Sequence, residues 1–251
     1  MWRAIPVLAA VWALALAGCG GSGDDTLTVS AATSLKTALT QYGGRFEDAK
    51  ARFSFAGSDE LAAQIRKGAK PDVFASANTK LPDELYDEGL VERPVTFAGN
   101  RLVLAVPASS DAGIASLRDL KKPGTTLAIG SETVPVGSYT RTVLSRLPES
   151  ESSAILENVR TQEPDVAGIV GKLTQGAVDA GFVYVSDVRA TGGKLKAIEL
   201  PEALQPTVAY GVAVVKGAKN GDAAEAFVDG LLEGDGKRAL DDAGFEPPPA
   251  Q

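Results

Sequence analysis

From Leu27 onward the chain alternates short β-prone runs with stretches of helical periodicity, and this alternation restricts it to an α/β fold with mostly parallel strands. A strand is expected at 27–29, followed by Leu35, Ala38, Leu39 and Tyr42 at helical spacing. The next pair is a strand at 52–55 and a helix whose apolar face is Leu61, Ala62 and Ile65. A third strand at 72–75 passes through a Ser76-Ala77-Asn78 turn to Leu81, Leu85 and Leu90. Further strands are expected at 101–106, 126–129, 182–185 and 208–215. Helices are expected around Val143 to Leu147, ended by Pro148, around 169–173, and at 223–232 and 238–242, with Gly244 a C-cap. No internal repeat is visible.

The runs 101–106 and 208–215 bracket a block of about 100 residues. If the chain passes from one lobe to another and back, those runs are the crossing strands. One lobe then comprises 27–104 with 208–251, and the other 105–207; the alternative is a single large sheet. Two lobes leave a cleft between them, outside the carboxyl ends of the strands, where ligands of α/β sheets usually lie.

The first residues stand apart from that fold. Arg3 precedes an apolar run of 14 residues, 4–17, too short for the roughly 20 that span a bilayer. It reads as a secretory leader, and Leu16-Ala17-Gly18-Cys19 resembles the lipobox of bacterial lipoproteins, with Cys19 the acylated first residue after removal of 1–18. The alternative for Cys19 is an unused thiol. Residues 19–26 then form a flexible tether. Gly18 to Gly23 satisfies G-x-G-x-x-G, but it precedes no amphipathic helix and carries no dinucleotide reading.

Composition removes several chemistries. With no His and one Cys, the chain has no imidazole base and no His/Cys zinc set. A serine nucleophile would need lysine or a carboxylate as base, yet no Ser-x-x-Lys spacing occurs. Paired acids such as Asp83/Glu84 lie on solvated helix faces, so an enzyme is not expected. The net charge of −7, or −8 once Arg3 leaves with the leader, argues against nucleic acid.

Chemistry gathers where strands pass into helices. The junctions are Ser30 to Leu35, Ala56 to Leu61, Val134 to Tyr139 and Glu163 to Gly168. Each sets small or hydroxyl residues at a helix start, where unpaired N–H groups and the positive end of the dipole favour an anion. Converging on one cleft, they make an anion site without lysine or arginine. Taken singly, Ser34, Ser58 and Asp165 read as N-caps, and Val136 and Val166 as core. Tyr184, at a strand end, can pack its ring and donate its hydroxyl into the cleft.

Ala31 to Leu35, Gly57 to Ile65, Gly68 to Ala77, Val134 to Tyr139, Asp165-Val166 and Gly181 to Asp187 together resemble the periplasmic molybdate-binding proteins of ABC transporters, in order from about Leu27 to Phe245. The resemblance implies a two-lobed type II periplasmic binding fold, with mixed, mostly parallel sheets and a hinge of two crossing strands, closing on molybdate or tungstate. By position, Ser34 and Ser58 would donate hydroxyl and backbone bonds, Val136 and Val166 backbone N–H, and Tyr184 its phenol. It further implies no cofactor, a permease with an ATP-binding subunit as partners, and an extracytoplasmic monomer anchored to the membrane through Cys19. A phosphate or sulfate receptor is the alternative ligand class, and a scaffold lipoprotein the alternative without one.

Two positions depart from the family pattern. Asp59 puts a carboxylate beside a site for a dianion, and is expected to turn outward. Val136 stands where a smaller residue is common, which should alter packing more than bonding.

Overall fold

The computed structural model describes residues 26–250. The expected leader 1–18, Cys19 and all of the tether except Thr26 lie outside the described residues. The strands are β1 (Thr26–Ala32), β2 (Lys50–Ala56), β3 (Val73–Ser76), β4 (Val95–Asn100), β5 (Leu102–Pro107), β6 (Leu127–Gly130), β7 (Val159–Glu163), β8 (Ala180–Tyr184), β9 (Leu195–Glu199) and β10 (Val208–Val214). The helices are α1 (Lys36–Gly43), α2 (Ser58–Arg66), α3 (Lys80–Asp87), α4 (Pro135–Ser145), α5 (Glu149–Glu157), α6 (Val166–Thr174), α7 (Val185–Ala190), α8 (Gly221–Leu232) and α9 (Asp235–Ala243).

Two five-stranded sheets result, ordered β2-β1-β3-β10-β4 and β7-β6-β8-β5-β9. Their topologies match. In each, three strands joined through helices run parallel, and the two remaining strands pair antiparallel beside them. The match extends to one side-chain clasp. In the first sheet Thr28 donates N–H and Oγ1–H to Asp72 Oδ2, both at 2.7 Å, and the Asp72 N–H returns to Thr28. In the second, Thr126 and Asp179 repeat these bonds at 2.8, 2.7 and 3.0 Å. Burial alone would raise the Asp72 carboxyl, but hydrogen bonds from Thr28, Asn220 and Lys219 outweigh it and hold it below its ordinary value. The duplication is invisible to a search for sequence repeats because a Thr and an Asp 44 or 53 residues apart are too sparse a pattern.

The passages between sheets differ from expectation. Leu102 to Val106 are buried, and β5 lies wholly in the second sheet, between β8 and β9. The outward passage is therefore at Arg101, the first residue of the expected crossing run, and the rest of that run belongs to the second sheet. The return falls in 200–207, since β10 lies wholly in the first sheet. Both runs are apolar because they are interior strands covered on both faces, which is also what made them look exceptional in sequence. Three strands have no counterpart in the sequence reading: β4, β7 and β9. All three are edge strands, and β7 (Val-Arg-Thr-Gln-Glu) only alternates between half-buried and exposed. Helix α5 was likewise not foreseen: its only buried residue is Ile155. Val185, expected to end a strand, begins α7.

Candidate functional site

At the carboxyl ends of β1, β2, β6, β7 and β8, residues of both sheets enclose a cavity of about 230 Å3. That figure includes space open to solvent; the room for the centre of a water-sized sphere is about 20 Å3, so the site suits a ligand of few heavy atoms. The lining brings together Ser34, Ser58, Val136, Val166 and Tyr184. The first sheet's layer supplies the two serines, and the second sheet's layer supplies the valines and the tyrosine.

Local sequence explains the placement. Helix α2 begins at Ser58 behind Gly57, α4 at Pro135 and α6 at Val166, so all three point their N-termini at the cavity. Pro135 suits the first position of α4, where an N–H would have no intrahelical carbonyl, and leaves the Val136 N–H as the first of that helix. The N–H groups of Ser58, Val136 and Val166 all fall in first turns, which have no carbonyl of their own helix to bond.

The serines do not cap their helices. Neither α1 nor α2 has a side-chain cap; instead Ser58 Oγ accepts the Ala77 N–H at 3.1 Å, and Ser34 Oγ accepts the Tyr210 hydroxyl at 3.0 Å. A backbone N–H can only donate, so the Ser58 hydroxyl hydrogen remains for another acceptor. Asp165 does cap, accepting the Gly168 N–H on Oδ1 at 2.9 Å. Among the described residues it is the one carboxylate of the lining, which holds no lysine or arginine.

Tyr184 is the most telling member. The residue is 1 % exposed, and among the described residues its buried hydroxyl has no hydrogen-bond partner. An unmet buried hydroxyl costs about 1–3 kcal/mol, a cost that a ligand acceptor would remove. Burial, with the nearby Tyr210, Tyr139 and Asp187, pushes its pKa well above the ordinary phenol value, so it stays a neutral donor. Its ring packs edge-on against Tyr139 and Tyr210, with centroids 6.4 and 5.9 Å away. Asp187 accepts the Tyr184 N–H at 2.9 Å and fixes the strand end.

Asp59 does not line the cavity. Its Oδ1 accepts the Glu60 N–H at 2.9 Å, and its Oδ2 accepts the Thr133 hydroxyl at 2.6 Å. The carboxylate is turned away from the cavity, as expected, but its partner is a hydroxyl from the other sheet's layer rather than bulk solvent. Beside it, a Cβ on Gly57 would collide with the Pro164 carbonyl oxygen, again across the two layers. Gly57 therefore permits the two layers to touch. Sequence reasoning missed Ala77, Tyr210 and Thr133 because each reaches the site from a distant segment. Gly57 was the one neighbour with a local signal, a glycine directly before a helix start.

The chain matches the bacterial extracellular solute-binding protein family over residues 27–246. It is 36 % identical over 231 residues to the molybdate-binding protein ModA of Mycobacterium tuberculosis H37Rv, covering 90 % of this chain and 86 % of that one. With the molybdate-binding protein ModA of Escherichia coli K12 it shares 33 % identity, over 88 % of this chain and 89 % of that one. Among solved structures it resembles the periplasmic molybdate-binding protein of Azotobacter vinelandii, with a TM-score of 0.78 at 23 % identity, over 88 % of this chain and 99 % of that one.

Proposed function

The chain belongs to the bacterial extracellular solute-binding protein family, and from that premise we propose that it captures molybdate or tungstate outside the cytoplasm and delivers it to an ABC permease driven by an ATP-binding subunit. It is a binding protein, not an enzyme, and its ligand is cargo rather than a cofactor. The observation that supports this ligand class best is the unpartnered Tyr184 hydroxyl inside a cavity that several helix N-termini face and no cationic side chain lines. Ser34 and Ser58 would donate hydroxyl and backbone bonds, Val136 and Val166 backbone N–H, and Tyr184 its phenol. Neutral donors suit a dianion that must be released again, because their bonds act at short range and depend on direction.

The two lobes would be the layers of the two sheets, hinged at Arg101 and within 200–207. Closure would bury the anion, and the permease would read the closed shape that only the liganded protein populates. Anchoring through a lipid on Cys19 and action as a monomer complete the reading; intact-mass analysis and gel filtration of the membrane-extracted protein test them.

Isothermal titration with molybdate, tungstate, chromate, sulfate and phosphate tests the ligand. Molybdate and tungstate should bind far above sulfate, with phosphate weakest. Sulfate or phosphate binding as tightly as molybdate would overturn the assignment, and no binding by any of the five would favour the scaffold alternative.

A further inference from the structure

The two layers touch far from the passages that join them. Arg101 links β4 to β5 and residues 200–207 link β9 to β10, whereas β2 and β7 are the opposite edges of their sheets. Gly57, directly after β2, packs against the carbonyl oxygen of Pro164, directly after β7. Beside that contact the Thr133 hydroxyl donates to Asp59 Oδ2 at 2.6 Å, within the range of about 2.5–2.7 Å for an O–H bonded to a carboxylate. Asp59 Oδ1 accepts the Glu60 N–H at 2.9 Å, which fixes the carboxylate on the first turn of α2. Neither Asp59 nor Thr133 lines the cavity. Each is tied to a donor that does, since Asp59 follows Ser58 directly and Thr133 lies three residues before Val136. Distance from the passages gives the bond leverage. β2 stands four strand spacings from β4, about 19 Å at about 4.8 Å each. A rotation of about 10° about the passages moves it by about 3 Å, which takes a bond of 2.6 Å out of hydrogen-bonding range. The Asn100–Ser186 bond of 2.8 Å, by contrast, crosses between the layers beside Arg101, where the same rotation moves atoms little.

We propose that Asp59 and Thr133 are positioning residues that latch the mouth of the cleft, forming their bond only on closure and so setting how slowly the captured anion leaves. The inference rests on the oxyanion and closure reading above. The latch draws the start of α2 and the segment before α4 together, which keeps the Ser58 and Val136 N–H groups on opposite walls of one anion. A bond outside the cavity does not distinguish one tetrahedral dianion from another, so it adds the same factor to molybdate and to tungstate. It acts after capture. The open form lacks it, so the rate of encounter does not depend on it, and it must break before release. The same bond accounts for a carboxylate one residue away from an anion donor: donors at both of its oxygens hold it off the cavity, and its charge strengthens the latch.

The test is a double-mutant cycle on the full chain, comprising wild type, Thr133→Val, Asp59→Ala and the double variant. Molybdate affinity is measured by calorimetry, its release by stopped-flow tyrosine fluorescence, and Tm without ligand by thermal unfolding. Valine keeps the shape of threonine at an exposed position, so folding should survive. Thr133→Val should speed the release of molybdate about fivefold, the scale of one hydrogen bond, with the association rate and the ligand-free Tm unchanged. Tungstate release should speed up by the same factor. Thr133→Ser keeps the hydroxyl and should retain slow release. Asp59→Ala also takes a negative charge away from the neighbourhood of the anion, so its own effect mixes two causes; in that background Thr133→Val should change nothing further. An unchanged release rate in Thr133→Val, a ligand-free Tm that falls with it, or an undiminished fivefold effect in the Asp59→Ala background would overturn the latch while leaving the ligand reading intact. A wild-type chain that binds no molybdate would overturn the ligand reading and the latch with it.

Discussion

Replacing Gly57 with alanine separates closure from folding. At φ −61° and ψ 139° the backbone of Gly57 suits any residue, so alanine adds no local strain. The methyl would nevertheless overlap the Pro164 carbonyl oxygen, with the carbonyl carbon at 3.6 Å and Asp59 Oδ1 at 3.0 Å. Relaxed heavy-atom contacts lie near 3.5 Å, so the two layers must part by roughly 1 Å. That shift takes the 2.6 Å Asp59–Thr133 bond to the edge of hydrogen-bonding range. Overpacking costs about 1–3 kcal/mol, and under the closure proposed above it would fall on the closed form alone, which would weaken binding by about 5- to 150-fold. The open form meets no clash, and alanine at a compatible backbone position adds about 0.4–1 kcal/mol by restricting the unfolded chain. The two effects have opposite signs. Molybdate titration should report the loss, while thermal unfolding without ligand should show an unchanged or higher Tm. An affinity within about twofold of wild type, or a ligand-free Tm that falls, would refute the reasoning, since the clash would then be absent or present in both forms.

Tyr184→Phe should likewise act in two directions. Removing a buried hydroxyl that has no partner raises ligand-free stability by about 1 kcal/mol, whereas losing a donor to a dianion weakens molybdate binding by about tenfold or more; paired melts and titrations check both. Burial raises the Asp187 carboxyl to about 7, the Tyr184 N–H opposes this, and Asp165 adds to the rise. Between the ordinary value of 3.8 and about 7 the folded chain thus holds a proton that the unfolded chain has lost. Its contribution to stability is full below 3.8 and is lost as the pH rises through about 7. Asp187→Asn should therefore narrow the difference between urea midpoints taken at around pH 5 and pH 8, and equal differences in the two proteins would count against the assignment.

The elements legible in the sequence were those that are buried or strongly periodic. Residues 101–106 and 208–215 stood out because interior strands must be apolar on both faces. β7 and β9 did not, because an edge strand can leave one side wet and its residues then look like loop, and β4 did not because Gly99 and Asn100, both buried, are poor strand formers. At the site, the junction pattern identified the helix starts that point at the cavity, since a helix N-terminus advertises itself through small, hydroxyl and proline residues next to it. The pattern misjudged what the serines do. As isolated hydroxyls at helix starts they read as caps, but Ala77 and Tyr210 claim their oxygens.

By itself, then, the sequence determined the α/β class and the helix starts that could receive an anion, because strand and helix periodicity and N-terminal chemistry are properties of a few neighbouring residues. Which hydroxyls can donate, which phenol is left unpaired and where Asp59 finds its partner were decided only in the tertiary structure. Tyr210 lies 176 residues from Ser34, and Thr133 lies 74 from Asp59. The polarity of a hydroxyl is set by whatever its neighbours in space have already taken, and those neighbours are assembled only when both sheets are folded and brought together.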